Sequence, residues 1–212
     1  MADNNNNDDE YNFFRLITLG DSGVGKTSLL KRFTNKKYDE NTITSLGFGS
    51  TIKDFTLKDG TKIRLKLIDT MGQENYKSIA KSYIRNADGV FFVFAHDNRE
   101  SFYNIINWLI DFKDNNLNIN KNNSTIPAIL LGNKCDLEHI INDDEIKEII
   151  EENKFYKYIN TSAKDNIGIN EALEEIGKML YHIYGKRRNI HKLVVSKHKK
   201  ITKMRKCCES QL

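Results

Sequence analysis

The chain lacks most of the features that would place it outside the cytosol. In 212 residues there is one proline, Pro127, and three cysteines, two of them adjacent at Cys207 and Cys208. Adjacent cysteines near a chain end do not form a structural disulfide framework, and nothing in the set has metal-ligand spacing. The five histidines, His96, His139, His182, His191 and His198, are scattered without ligand spacing. No apolar run approaches the ~20 residues that a membrane-crossing helix requires. The first ten residues are acidic and Asn-rich, which is neither a signal peptide nor a basic transit sequence. Ala2 stands where N-myristoylation requires glycine. Cytosolic synthesis and residence are expected.

Charge is nearly balanced in the body and of one sign at the end. The formal net charge is +4, yet residues 186–212 hold ten Lys or Arg and a single acid, Glu209. The remainder, 1–185, has 23 basic and 28 acidic residues, a net charge of −5. A mildly acidic body with a basic tail does not indicate a nucleic-acid-binding fold. Residues 1–10 read as a disordered extension with too little apolar surface to offset chain entropy. Residues 11–185 read as one domain and 186–212 as a flexible tail.

What is present begins at Gly20-Asp21-Ser22-Gly23-Val24-Gly25-Lys26-Thr27. An apolar run from Phe13 to Leu19 precedes it and reads as a buried strand; Ser28 to Phe33 follows and reads as the opening of a helix. Strand, glycine-rich turn and helix in that order form the context of a phosphate-binding loop. Glycines let successive amides point inward at one anion, and the helix dipole adds to the same spot. Lys26 supplies a cation for the outer phosphates, and the Thr27 hydroxyl is placed to ligate Mg²⁺.

Beyond the first helix, Asn35 to Ser45 reads as a loop. Ser50–Leu57 and Thr61–Ile68 alternate about Lys58-Asp59-Gly60, a hairpin signal. Glu74–Ile84 is a helix candidate, and Gly89–Phe94 is a continuous apolar strand. Ser101–Lys113 has helical spacing, Asp114–Ser124 is an Asn-rich loop insertion, and Ala128–Gly132 is another buried strand. Asp143–Asn153 reads as a helix, Tyr156–Asn160 as a strand and Asn170–Tyr184 as an amphipathic helix. The expected class is α/β: one P-loop domain with a mostly parallel six-stranded sheet and helices on both faces, its sites at the strand ends.

Three more motifs fall at strand ends. Asp69-Thr70-Met71-Gly72-Gln73 places Asp69 to hold Mg²⁺ through its outer shell, the Gly72 amide to approach a γ-phosphate, and Gln73 to orient an attacking water. Asn133-Lys134-Cys135-Asp136 offers a carboxylate to the adjacent N–H donors of guanine, which adenine lacks. There the Lys134 stem can cover the base and Asn133 can tie the loop down. Thr161-Ser162-Ala163-Lys164 can supply a backbone amide to the guanine oxygen.

Together these motifs resemble a small GTPase of the Ras superfamily, and within it the Rab family, over about residues 13–184. The resemblance places the phosphate loop on Gly20 to Thr27 with Ser28 beside it. It places Tyr38 at the edge of the guanine ring and Ser45 on Mg²⁺ and the γ-phosphate. Asp69, Gly72 and Gln73 match switch II, and Asn133, Lys134, Asp136, Ser162, Ala163 and Lys164 match the guanine loops. Tyr83-Ile84-Arg85-Asn86-Ala87, Glu100-Ser101-Phe102 and Trp108-Leu109 resemble Rab segments. Departures are Ser45 for threonine, Met71 for alanine, Ile68 for tryptophan, Ala95 for aspartate, and the run Leu46 to Ser50.

The resemblance implies GTP or GDP as bound nucleotide, Mg²⁺, slow intrinsic hydrolysis, and a role in vesicle traffic. Implied partners are an exchange factor, a GTPase-activating protein, effectors reading residues 42–50 and 70–85, and a prenylation escort and dissociation inhibitor. Cys207 and Cys208 match the family's geranylgeranylated pair, which with the basic tail implies the cytoplasmic face of a membrane and a cytosolic pool. A CaaX box is excluded because Glu209 stands where its cysteine would be. Two alternatives are a GTP-binding scaffold crippled in hydrolysis by Met71 and Ser45, and a Ras- or Rho-like signalling protein.

Overall fold

The computed structural model describes residues 11–36, 49–70, 84–116 and 126–185. Strand β1 (Asn12–Leu19) leads through the glycine-rich turn into helix α1 (Lys26–Phe33). Strands β2 (Ser50–Thr56) and β3 (Lys62–Ile68) form the expected hairpin. Its turn closes as an Asp-Gly sequence requires: Gly60 takes φ +86° and the Asp59 carboxylate accepts from the Thr61 amide at 2.9 Å. Strand β4 (Gly89–Ala95) follows, then helices α2 (Arg99–Tyr103) and α3 (Ile105–Asn116), strand β5 (Ala128–Asn133), helix α4 (Asp143–Asn153), strand β6 (Lys157–Asn160) and helix α5 (Ile169–Leu180). A π turn, Tyr181–Gly185, extends α5.

The six strands are ordered β2-β3-β1-β4-β5-β6. Only the β2–β3 pairing is antiparallel; β1, β3, β4, β5 and β6 run parallel. Side chains of a strand point alternately to the two faces, so β4 feeds two cores. Phe91, Val93 and Ala95 join α1 and α5 on one face, through Leu29, Phe33, Leu173 and Ile176. Val90, Phe92 and Phe94 join α2, α3 and α4 on the other, through Phe102, Leu109, Phe112 and Ile146. Helices on both faces explain why β4 has no polar side and is buried throughout.

Two helix expectations are corrected. The segment 101–113 is not one helix: Asn98 caps a short α2 from 99, accepting from the Ser101 amide at 3.0 Å, and the path bends at Asn104 before α3. Residues 114–116, expected in the Asn-rich loop, are helical. There Asn115 and Asn116 donate side-chain amides to the carbonyls of Asp111 and Phe112, one turn back, and Asn116 is buried. Helix α4 matches its expected span because a capping box fixes it: Asn142 accepts from the Asp144 amide and Glu145 from the Asn142 amide.

The expected loop over 37–45, the helix over 74–83, the rest of the Asn-rich tract at 117–124, residues 1–10 and the tail 186–212 lie outside the described residues. No helix among the described residues is long and apolar enough to cross a membrane.

Candidate nucleotide site

In a parallel sheet wound on both sides, the carboxyl ends of the strands share one edge. The phosphate loop leaves β1 there, Asp69 follows β3, Asn133 ends β5, and Thr161 follows β6. The topology therefore gathers four motifs that are far apart in the sequence, from Gly20 to Lys164.

The loop itself could not be built from other residue types. Gly20 (φ +149°) has no room for a side chain, since a β-carbon would sit 2.1 Å from the Val93 carbonyl oxygen. Gly25 (φ +95°) precedes α1 as its N-cap. Lys26 opens the helix and curls back over the loop, where its ammonium donates to the carbonyls of Gly20 at 2.9 Å and Asp21 at 2.5 Å. It is 5% exposed. Burial pushes its pKa down to about 8, against the opposing pull of Asp69 and Asp21. A buried cation held by carbonyls is poised to exchange them for phosphate oxygens, which carry full charge.

The Asp21 carboxylate is held by two side chains. It accepts from the Trp108 indole at 2.8 Å and from the Asn104 amide at 2.7 Å, which pins the loop to the α2–α3 bend. Spacing in the sequence gave no sign of this tie, though Trp108 stood out as part of the family resemblance.

Thr27 and Asp69 stand together as a hard-oxygen pair: the Thr27 hydroxyl donates to the Asp69 carboxylate at 2.7 Å. Asp69 is buried. A hydroxyl and a carboxylate beside a phosphate loop are the donor chemistry Mg²⁺ takes, the carboxylate holding a metal-bound water and phosphate oxygens completing the shell. The residues present fit that ion. Thr70, next in sequence, is buried and donates its hydroxyl to the Thr18 carbonyl, fixing the exit of β3 against β1.

Asn133 is the hub of the base side. Its Nδ2 donates to the Val24 carbonyl at 2.7 Å, inside the phosphate loop. Its Oδ1 accepts from the Ala163 amide and the Thr161 hydroxyl, both at 3.3 Å. One side chain thus joins three loops, more than the tying role expected for it. Lys134 takes a left-handed conformation (φ +61°) and its ammonium pairs with Asp97 at 3.1 Å. Asp136 accepts from the Ser162 hydroxyl at 2.5 Å, and that hydroxyl accepts from the Asp165 amide at 2.9 Å. A carboxylate held by one oxygen keeps its remaining acceptor capacity for a ligand. Cys135 is half-buried and its thiol is pushed up by burial, in keeping with a packing residue rather than a nucleophile.

Two contributors carried no sequence signal. Arg32, at the far end of α1, donates to the carbonyls of Ala163 at 2.5 Å and Lys164 at 2.6 Å. His96, after β4, is buried beneath the base loop and stacks on His139 with ring centres 3.9 Å apart. Both contacts span loops that only the fold brings together. Tyr38, Ser45, Gly72, Gln73, Cys207 and Cys208 lie outside the described residues.

The comparisons with known proteins agree with this geometry. The Ras family model matches residues 15–182. The rat protein "Ras-related protein Rab-13" is 32% identical over 178 residues, 83% of this chain and 84% of its own. "Ras-related protein YPTC6" of Chlamydomonas reinhardtii is 32% identical over 182 residues, 85% of this chain and 81% of its own. "Ras-related protein RGP2" of rice is 32% identical over 183 residues, with 85% and 81% covered. A match across nearly the whole domain, on a sheet whose strand ends carry the four motifs in order, makes the chain a small GTPase of the Ras family, on its Rab branch.

Proposed function

We propose that the chain is a Rab-type switch that binds GTP with Mg²⁺, hydrolyses it slowly to GDP, and recruits effectors to a membrane in vesicle traffic. The observation that carries the reading is the Asn133 hub. It joins the phosphate loop at Val24 to the base loops at Thr161 and Ala163, and so ties the Lys26 side of the site to the Asp136 side. A phosphate grip tied to a carboxylate able to pair with the adjacent N–H donors of guanine suits a guanine nucleotide.

The residues divide the work. Asp136 accepts from the N1–H and exocyclic amine of guanine; adenine, lacking that donor pair, leaves the carboxylate unpaired. The Ala163 amide donates to the guanine oxygen, the Lys134 stem lies along one face of the ring, and Tyr38 edges it. Lys26 and the amides of residues 22–28 hold the phosphates. Thr27, Ser45 and Asp69 would hold Mg²⁺, which when bound offsets charge on the β- and γ-phosphates. Ser45 and Gly72 contact the γ-phosphate and so order residues 42–50 and 70–85 as the effector surface; loss of that phosphate releases both. Gln73 orients the attacking water. An activating protein supplies the missing arginine, and an exchange factor releases GDP.

Membrane attachment rests on geranylgeranyl groups at Cys207 and Cys208 with the basic tail behind them, loaded by an escort and retrieved by a dissociation inhibitor. The decisive experiment is single-turnover hydrolysis of GTP on purified protein in Mg²⁺, with Gln73→Leu as control. Slow turnover that Gln73→Leu removes supports the switch. Tight GTP binding with no turnover, alone or with an activating protein, favours a second reading. In that case Met71 and Ser45, the two departures beside the γ-phosphate, make the chain a GTP-binding scaffold.

A further inference from the structure

The far end of α1 is joined to the base-reading loop by the side chain of Arg32. We propose that Arg32 is a positioning residue for guanine recognition, which turns the amide edge of the loop 162–164 towards the purine oxygen by withdrawing its carbonyl edge.

The geometry is that of a fork. Arg32 is half-buried, and Nε and Nη2 reach two successive carbonyls, Ala163 at 2.5 Å and Lys164 at 2.6 Å, across 131 and 132 residues of sequence. A guanidinium presents parallel N–H groups in a fixed plane, so gripping both carbonyls sets their direction as well as their distance. In a trans peptide the C=O and the following N–H point opposite ways. Clamping the Ala163 carbonyl on the α1 side therefore directs the Lys164 N–H to the other side. The Ala163 N–H lies against Asn133 Oδ1 at 3.3 Å, a long bond that a better acceptor can take over. One residue earlier, Ser162 holds Asp136 of the base loop.

The Ser162 hydroxyl is occupied by Asp136 and the Asp165 amide, and the Ser162–Ile167 bridge fixes the loop's base rather than its tip. A lysine at position 32 would offer one point charge and lose the orientation.

The inference rests on the guanine reading above, and the test separates the two. Affinities of wild type, Arg32→Ala and Arg32→Lys are measured by competition for GDP, IDP and 2-aminopurine riboside 5′-diphosphate, with melting temperatures alongside. IDP lacks the amine but keeps the 6-oxygen; the 2-aminopurine nucleotide keeps the amine and lacks the oxygen. Arg32→Ala should weaken GDP and IDP by the same factor, about tenfold, or 1.4 kcal/mol, and leave the 2-aminopurine nucleotide unchanged. Arg32→Lys, which also covers the case of an unstable alanine variant, should fall between. Equal weakening of all three ligands, or of none, overturns the proposal. Wild-type protein that takes up no GDP overturns the guanine reading instead.

Discussion

Asn133 and Gly25 share one volume. A β-carbon on Gly25 would lie 2.3 Å from Asn133 Nδ2, the atom that donates to the Val24 carbonyl at 2.7 Å. The phosphate loop thus omits a side chain where the base loop inserts one, and each site is shaped by the other.

Gly25→Ala is expected to damage both ends of the nucleotide at once, because the new methyl displaces Asn133 and φ of +95° strains any β-carbon. Asn133→Ala removes the obstacle along with about 1–3 kcal/mol of buried hydrogen bonding, a ten- to hundredfold faster GDP release. The pair should be strongly non-additive: the double variant releases GDP little faster than Asn133→Ala carrying only the backbone strain. Stopped-flow release of a fluorescent GDP reads this directly, and additive effects would refute the shared volume.

Asp136→Asn should exchange guanine for xanthine. An amide presents a donor where the carboxylate presented only acceptors, and xanthine carries an oxygen where guanine has its amine. The unpaired groups in each mismatch make the discrimination large, roughly 10²-fold or more in each direction. The Ser162 hydroxyl remains a partner for the amide oxygen, so the loop holds its shape. Competition between GDP and XDP for both proteins checks it; a variant that loses GDP without gaining XDP would place Asp136 outside the base contact.

Lys26 makes the nucleotide-free protein more stable in mild alkali. Its folded pKa, pushed to about 8 chiefly by burial, lies below the unfolded value of 10.5. Between those values the unfolded chain binds the extra proton, so stability rises with pH there and is flat below it. Over the roughly 1.5 units from the folded value to pH 9.5, at 1.36 kcal/mol per unit, the gain is about 2 kcal/mol. Denaturant unfolding in EDTA at pH 7 and pH 9.5 should show it in wild type and not in Lys26→Met.

What the sequence disclosed was what local spacing encodes. The phosphate loop lies within eight residues between a strand and a helix, the hairpin turns on Asp59-Gly60, and the apolar run of β4 identifies a strand covered on both faces. Each motif residue within the described regions lies at its expected strand end. The ties between motifs were not legible, because Asn133 to Val24, Arg32 to Ala163 and Asp21 to Trp108 span 109, 131 and 87 residues. Asn133 and Trp108 stand out in the sequence and Arg32 does not, but the partner of each is set only when the sheet is assembled. The break at Asn104 was hidden for a similar reason: apolar spacing ran on through it, while the local signal, a capping side chain at Asn98, sits six residues earlier.

The histidines show the same limit and give the last prediction. Scattered in sequence, His96 and His139 stack in space, and His96 Nε2 lies 2.7 Å from Asn160 Oδ1 and 3.1 Å from the Tyr158 hydroxyl. Burial holds the His96 pKa below its usual 6.5; Asn160, Asp143 and Asp97 pull it up and His139 pushes it down. A folded value below the unfolded one means that the unfolded chain binds more protons under pH 6.5, so stability is lost as pH falls. The strand end it anchors carries the His96 amide bond to the Asn133 carbonyl, so the loss reaches the nucleotide hub. His96→Gln keeps a neutral amide near Asn160 and cannot take the proton. Its unfolding free energy should fall less steeply than that of wild type from pH 7 to pH 5, with GDP release following the same order. Parallel curves for the two proteins would mean that His96 titrates freely in the folded state.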